Sequence, residues 1–283
     1  MDNYTIIDGK EIKKQILDEL KEEVSKLEIK PSLVVIQVGD NDASNVYIKQ
    51  KAKMADYVGY DYKHIKLSED ITTEEVVKII DELNNDKKIN GVMVQMPLPN
   101  HIDTELVQNA VIPSKDVDGL SDLNAGLLFH NKDALYSCTP YGVMELLKRY
   151  KIQVEGRHVV VVGRSNLVGK PMSMMLTNAG ATVTLCHSKT VDLSKYTKDA
   201  DILISCVGKA NFITEKMVKE GSVVIDVGIT RSEFGLCGDV KFDEVAPKTK
   251  YITPVPGGVG PMTVAMLGSN VLKAYYMQKK EEL

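Results

Sequence analysis

The sequence predicts an α/β protein of two domains, each built on a parallel sheet. Three observations carry that expectation. Apolar runs of strand length alternate with amphipathic runs of helix length, the pattern of linked β-α-β units. One apolar run, Val159-Val160-Val161-Val162, is bounded by Gly163 and has no polar face, as a central parallel strand buried on both sides should. At 283 residues with 43% hydrophobic content, the chain is long enough for two ordinary domains and two sizeable cores.

Composition narrows the function classes. A net charge of -4 with no extended basic run gives no footprint for nucleic acid and no electrostatic pull toward an anionic membrane, so the expected partner is a small molecule. Cys138, Cys186, Cys206 and Cys237 form no C-x-x-C pair, which indicates neither a disulfide framework nor a zinc ribbon, and fits a reduced cytoplasm with no metal. The N-terminus, Met1-Asp2-Asn3-Tyr4-Thr5, lacks the basic and apolar regions of a signal peptide. No apolar run approaches the length that spans a bilayer.

Taken in order, Ile12, Ile16, Leu20 and Val24 recur every four residues and make Gly9 to Lys26 an amphipathic helix. Leu33 to Val38 reads as a buried strand. The turn residues after it lead into a helix from about Ala43 to Val58, closed by Gly59. On that helix Ser44, Tyr47 and Lys51 share a face. Spacing leaves open whether the phenol and amine jointly bind and polarise a ligand or merely form a partly exposed face. Tyr60 to Lys66 is a second strand, Thr73 to Asn84 a helix, and Gly91 to Met96 a third strand. Gln95 then stands at the carboxyl end of a strand, where ligands of open α/β sheets collect, followed by a loop stiffened by Pro97 and Pro99. A capping amide is the alternative. After a helix from Asp103 to Ala110, the segment Lys115-Asp116-Val117-Asp118-Gly119 presents two acids that either bind a ring bearing N–H donors or cap the next turn.

Cys138-Thr139-Pro140 reads as a helix start with Thr139 as N-cap, and as the crossover into the second domain. Beyond the valine strand, Gly163 permits a tight turn, Gly169 permits close backbone approach, and a helix follows from Lys170 to Ala179. That places a helix N-terminus where a pyrophosphate can sit, although Ser165 replaces the middle glycine of G-x-G-x-x-G and weakens the fingerprint. The next strand, Thr182 to Cys186, runs into His187-Ser188-Lys189 with no carboxylate for a ribose 2'-hydroxyl. Arg164 and Ser188 can instead hold a 2'-phosphate, so NADP is favoured over NAD; a solvated Arg164 is the alternative. Asp201 to Cys206 and Ser222 to Val227 are further strands, the second ending at Gly228-Ile229-Thr230. Thr253 to Thr263 is the densest Pro/Gly stretch, suited to a loop over a flat ligand or to a second hinge. A long terminal helix from Val264 to Lys279 is expected to return to the first domain.

With these pieces in order, the chain resembles the bifunctional methylenetetrahydrofolate dehydrogenase/methenyltetrahydrofolate cyclohydrolase family. The resemblance runs from Ser44 to Thr263 through Tyr47-x-x-x-Lys51, Gln95-Met96-Pro97-Leu98-Pro99, Lys115 to Gly119, Cys138-Thr139-Pro140, Gly163-Arg164-Ser165 through Pro171, and Pro254 to Thr263. It implies an N-terminal folate-binding catalytic domain, residues 1–138 plus 264–283, and a Rossmann-like NADP-binding domain, residues 139–263. It implies NADP-dependent oxidation of methylenetetrahydrofolate and hydrolysis of the methenyl product to 10-formyltetrahydrofolate, in the one-carbon metabolism that serves purine, histidine and methionine synthesis. A cytoplasmic homodimer is the further implication. By the same resemblance Lys51 and Tyr47 face the folate, Asp118 holds the pterin, and Gln95 tunes the lysine. Pro254 and Gly258 complete the folate-binding set; Gly163, Arg164, Ser165, Ser188 and Ile229 receive the cofactor. The oxidation needs little acid or base help, because the folate nitrogen lone pair expels hydride. Hydrolysis requires proton transfers, which fall to Lys51 with Tyr47 in support. A shikimate-type dehydrogenase would lack Pro97-x-Pro99 and the Pro254 to Gly260 loop, and a catalytically silent NADP-binding regulator would have no need of Lys51, Tyr47 and Gln95.

Overall fold

The computed structural model describes residues 4–232 and 235–281; residues 1–3 of the N-terminal segment read above lie outside them. In chain order the elements begin β1 (Thr5–Ile6), α1 (Gly9–Ser25), β2 (Ser32–Val38), α2 (Asp42–Val58), β3 (Asp61–Leu67), α3 (Thr73–Asn85), β4 (Gly91–Val94), α4 (Thr104–Ala110), α5 (Asp122–Phe129) and α6 (Cys138–Arg149). They continue with β5 (His158–Val162), α7 (Gly169–Asn178), β6 (Thr182–Cys186), α8 (Ser194–Thr197), β7 (Ile202–Ser205), β8 (Ser222–Asp226), β9 (Thr230–Ser232), β10 (Gly235–Cys237), α9 (Phe242–Val245), β11 (Thr249–Ile252) and α10 (Val259–Glu281). The chain divides into two compact units, residues 15–138 with 264–283 and residues 1–14 with 139–263.

The first unit holds a parallel sheet in the order β3-β2-β4. Every residue of central β2 is buried, as its unbroken apolar run requires, whereas edge strand β3 has no fully buried residue. Val34 and Ile36 of β2 join Val92 and Val94 of β4 and Val76, Ile80 and Leu83 of α3 in one core. Helix α3 starts on a capping box: Thr72 Oγ1 accepts from Glu75 N at 3.2 Å, and Glu75 Oε2 accepts from Thr72 N at 2.9 Å. The part of α10 from Val264 belongs to this unit, as expected of the returning terminal helix. Tyr60 ties it in, donating to Gly268 O at 2.8 Å.

The second unit is a six-stranded parallel sheet, β1-β11-β8-β7-β5-β6, with the antiparallel hairpin β9–β10 beside it. From β5 the chain passes through α7 to β6 on one side, then crosses back to β7 on the other. The strand order therefore reverses between β5 and β7, the point beyond whose carboxyl ends open α/β sheets take their ligands.

The observed partition differs from the expected one at the N-terminus. Residues 1–14 belong to the six-stranded unit, because Thr5 and Ile6 pair in parallel with Tyr251 and Ile252 and Gly9 N donates to Gly257 O at 2.9 Å. An edge strand of two residues is too short to show a period. Helix α10 begins at Val259 rather than Val264, since Pro261 in its first turn gives up an N–H that has no intrahelical acceptor. Helix α6 begins at Cys138, so Thr139 lies inside it; its hydroxyl pairs with that of Thr263 at 3.1 Å instead of capping.

Candidate active site

Helix α2 brings Ser44, Tyr47 and Lys51 onto one side. Asn41 Oδ1 accepts from Ser44 N at 3.2 Å at its start, which fixes the first turn. Lys51 is 6% exposed, and its Nζ donates to Gln95 Oε1 at 2.6 Å. Gln95 lies just past the end of β4, where its backbone N still donates to Ile36 O at 2.8 Å. Its own Nε2 donates to Met96 O at 2.5 Å, which turns the amide oxygen toward the lysine, and Ser44 Oγ donates to the same carbonyl at 3.3 Å. The Met96–Pro97 bond that follows is cis. Burial lowers the Lys51 pKa, opposed by the charge of Asp118 and by Cys138. Tyr47, one turn earlier, is 48% exposed and offers its phenol outward.

The members of the 115–119 motif make separate contacts. Lys115 is buried and donates to Leu83 O, Asn84 O and Asp86 O at 2.7–2.9 Å, capping the carboxyl end of α3. Asp116 accepts from Gly119 N at 3.0 Å, Ser121 N at 2.8 Å and Asn124 Nδ2 at 3.0 Å, so it organises the loop. Asp118 takes no part in either set of contacts. Loss of solvation pushes its carboxyl up to about 6, against the pull of Lys51 and with the push of Asp116. The Cys138 thiol, also buried here, is raised far above the ordinary thiol range, chiefly by burial. The cluster thus combines a lysine whose pKa burial lowers, an amide bonded to it and a carboxyl that burial raises, the perturbed groups that acid–base chemistry uses.

The cofactor turn is built from backbone. Gly163 leaves β5 with φ +123°, and a Cβ there would stand 2.6 Å from Cys206 O and Sγ, so the ends of β5 and β7 approach as only glycine allows. At Gly169 a Cβ would stand 1.9 Å from Gly163 O, so α7 springs directly off the strand. Ser165 Oγ accepts from Val168 N at 3.2 Å, folding the turn toward the helix start. Arg164, Ser165 and Ser188 are all exposed. No carboxylate ends β6, where Cys186-His187-Ser188-Lys189 turns with His187 N donating to Thr190 Oγ1 at 2.9 Å. The residues present thus fit a dinucleotide: a glycine-lined turn into a helix N-terminus, with an arginine and a hydroxyl where a 2'-phosphate would be met.

Two buried aspartates outside every motif hold the loops that follow β7 and β8. Asp239 accepts from Ser205 Oγ, Val207 N and Lys209 N at 2.7–2.9 Å, and Asp226 accepts from Gly228 N, Asp239 N and Val240 N at 2.8–3.0 Å. A Cβ on Gly228 would stand 2.1 Å from Asp239 Oδ1, and one on Gly238 would stand 2.0 Å from Asp226 Oδ2. Ile229, 50% exposed, follows on this frame. Gly258 N donates to Pro254 O at 2.8 Å, and a Cβ at Gly258 would stand 2.6 Å from that oxygen, so Pro254 to Gly258 is one tight turn around the cis Val255–Pro256 bond. A separate cavity of about 410 Å³ opens at the amino ends of β7 and β8, between Arg157, Lys219 and Lys250, and holds none of the candidate residues.

Fold and turn define an α/β protein of the dinucleotide-binding kind that also carries a buried lysine bonded to an amide. Comparison with known proteins makes that class specific. The profile of the tetrahydrofolate dehydrogenase/cyclohydrolase catalytic domain matches residues 7–118, and that of the family's NAD(P)-binding domain matches residues 137–279. The bifunctional protein FolD of Agathobacter rectalis is 52% identical over 95% of this chain and 98% of its own length. The crystal structure of the bifunctional methylenetetrahydrofolate dehydrogenase/cyclohydrolase FolD from Campylobacter jejuni superposes with a TM-score of 0.95 at 48% identity, covering 97% of this chain and 99% of that one. The Trypanosoma brucei enzyme, solved with NADP cofactor and inhibitor, superposes at 0.91 with 36% identity, over 97% of this chain and 98% of its own. The chain belongs to the tetrahydrofolate dehydrogenase/cyclohydrolase family.

Proposed function

We propose that this chain oxidises 5,10-methylenetetrahydrofolate to the 5,10-methenyl form with NADP and hydrolyses that product to 10-formyltetrahydrofolate. The observation that carries the reading is the buried Lys51 Nζ bonded at 2.6 Å to Gln95 Oε1, within the field of Asp118, in a chain of this family.

NADP, when bound, supplies the hydride acceptor. Arg164 and Ser188 meet its 2'-phosphate, and the turn from Gly163 through Ser165 to α7 meets the pyrophosphate. Asp118 accepts from the N–H donors of the pterin, and Tyr47, Pro254 and Gly258 bound the folate. Loss of hydride from the methylene carbon is driven by the folate nitrogen lone pair, so the protein's part is orientation. In the hydrolysis Lys51, kept neutral enough by burial, takes a proton from the water that attacks the methenyl carbon. It returns that proton to the ring nitrogen as the carbon–nitrogen bond opens, and the remaining hydroxyl proton leaves as the formyl group forms. Gln95 holds the amine in place, and Tyr47 supports the transfers.

The test is one reaction with methylenetetrahydrofolate and NADP in which reduced cofactor and the methenyl species are followed separately. Both activities in the wild-type protein, with methenyltetrahydrofolate building up in Lys51→Met, support the reading. Normal hydrolysis of added methenyltetrahydrofolate by Lys51→Met refutes the role of Lys51. The same family resemblance supports a cytoplasmic homodimer whose products serve purine, histidine and methionine synthesis, and sedimentation of the purified chain tests the dimer.

A further inference from the structure

Asp118 lies on a loop with no regular secondary structure, yet a carboxyl that must meet a rigid ring needs a fixed backbone. Asp116 secures the loop from within through Gly119 N and Ser121 N. A second fastening comes from α10. Asn270, fully buried, donates from Nδ2 to Val117 O at 2.9 Å and to Tyr136 O at 2.8 Å, and reaches Cys138 Sγ at 3.7 Å. Cys138 Sγ in turn donates to Val117 O at 3.4 Å. The two strands of chain held this way touch directly: a Cβ on Gly119, whose φ is +67°, would stand 2.2 Å from the carbonyl carbon of Tyr136 and 2.5 Å from Ser137 N. Asp118 thus sits between a residue whose carbonyl is clamped and a residue pressed against the neighbouring segment. The Oδ1 of Asn270 has no hydrogen-bond partner, so the amide is used entirely as a two-pronged donor.

We infer that Asn270 is a positioning residue for the folate substrate: its amide clips the Val117 and Tyr136 carbonyls together and so fixes Asp118, without itself touching the ligand. The inference rests on the proposed role of Asp118. Removing the amide takes away the one donor that the two carbonyls share and leaves Val117 O with the weak Cys138 thiol, so the two segments are no longer clipped and the loop relaxes.

Asn270→Ala, confirmed as folded by circular dichroism, should raise the KM for methylenetetrahydrofolate and for methenyltetrahydrofolate alike, by about tenfold, while the KM for NADP stays within about twofold of wild type. Asn270→Ser, which keeps one donor, should recover part of that loss. Ile80→Val, in the α3 core, serves as the control for general destabilisation and should leave the folate KM unchanged. Asp118→Asn separates the two claims. If it raises the folate KM and Asn270→Ala does not, the clip is refuted and the role of Asp118 stands. If Asp118→Asn leaves the folate KM normal, the role of Asp118 falls and the clip falls with it. An increase in folate KM and NADP KM together in Asn270→Ala marks a merely structural residue and also overturns the inference. Should Asn270→Ala not fold, Asn270→Ser alone decides by the same split.

Discussion

The cluster around Lys51 and the glycine turn proposed for the cofactor are built of opposite materials. Around Lys51 the chemistry belongs to side chains that are buried and bonded to one another, so their titration is set by lost solvation. At the cofactor turn the side chains stand in water and the shape belongs to backbone brought together where only hydrogen fits. A reacting group needs its proton affinity changed, which burial can do. A phosphate needs N–H groups and a positive charge within reach, which an open turn provides. The contrast predicts that truncating a side chain hurts most in one place and adding a carbon hurts most in the other.

The largest effect should come from Lys51→Met, which keeps the apolar stem and removes the amine. General acid–base assistance is worth about 10²- to 10⁴-fold, so cyclohydrolase turnover should fall within that range while dehydrogenase turnover falls less. Progress curves resolving reduced NADP from methenyltetrahydrofolate check this. Gly169→Ala is the converse, a methyl group added where the nearest atom is 1.9 Å away and belongs to backbone. Because α7 must shift to admit it, kcat/KM for NADP should drop by about a hundredfold, with hydrolysis of supplied methenyltetrahydrofolate spared. Loss of both activities would mean that the turn and the lysine centre are not separable.

Arg164→Ala should cost roughly tenfold in KM for NADP and leave KM for NAD nearly unchanged, since only the 2'-phosphate loses a charge-assisted partner. Equal effects would remove Arg164 from the cofactor site. The smallest effect concerns pH. In its proposed role Asp118 accepts from two pterin donors only as the carboxylate, and burial pushes that carboxyl up to about 6. Folate KM should therefore climb as pH falls through 6, by about tenfold per unit well below it, and Asp118→Asn should abolish the climb. The linked effect on stability has the other sign. The folded carboxyl holds its proton to higher pH than the unfolded chain does, so its contribution is full in acid and is lost as pH rises from about 4 to about 6. Thermal melts of Asp118→Asn should lack that decline.

Much of this was legible before any coordinates, and the reasons differ by residue. The unbroken valine run of β5 and the 3.6-residue period that gives Tyr47 and Lys51 one face are local patterns, and both appear in the fold. The 115–119 motif stayed ambiguous because its meaning is not local: Lys115 takes its acceptors from the end of α3, some thirty residues earlier. Asp226 and Asp239 gave no sequence signal, being single acids whose partners are mostly backbone amides of other loops. Asn270 was hidden in a helix that reads as apolar. The pairing of β1 with Tyr251 and Ile252 was not legible, because a strand of two residues is too short to announce a partner.

The crossed arrangement of Gly228 against Asp239 and Gly238 against Asp226 has a consequence for how this loop pair can vary over generations. Each glycine is required by the carboxylate of the other strand of chain; the carboxylate of Asp226 is held by the amides of Gly228 and of Asp239 beside Gly238, and that of Asp239 by the amides of Val207 and Lys209. A single replacement at any of the four positions meets either a clash or amides left without an acceptor. Change must arrive at two positions together or not at all, so descendants of this chain should inherit the four as one block while the exposed residues around them drift freely.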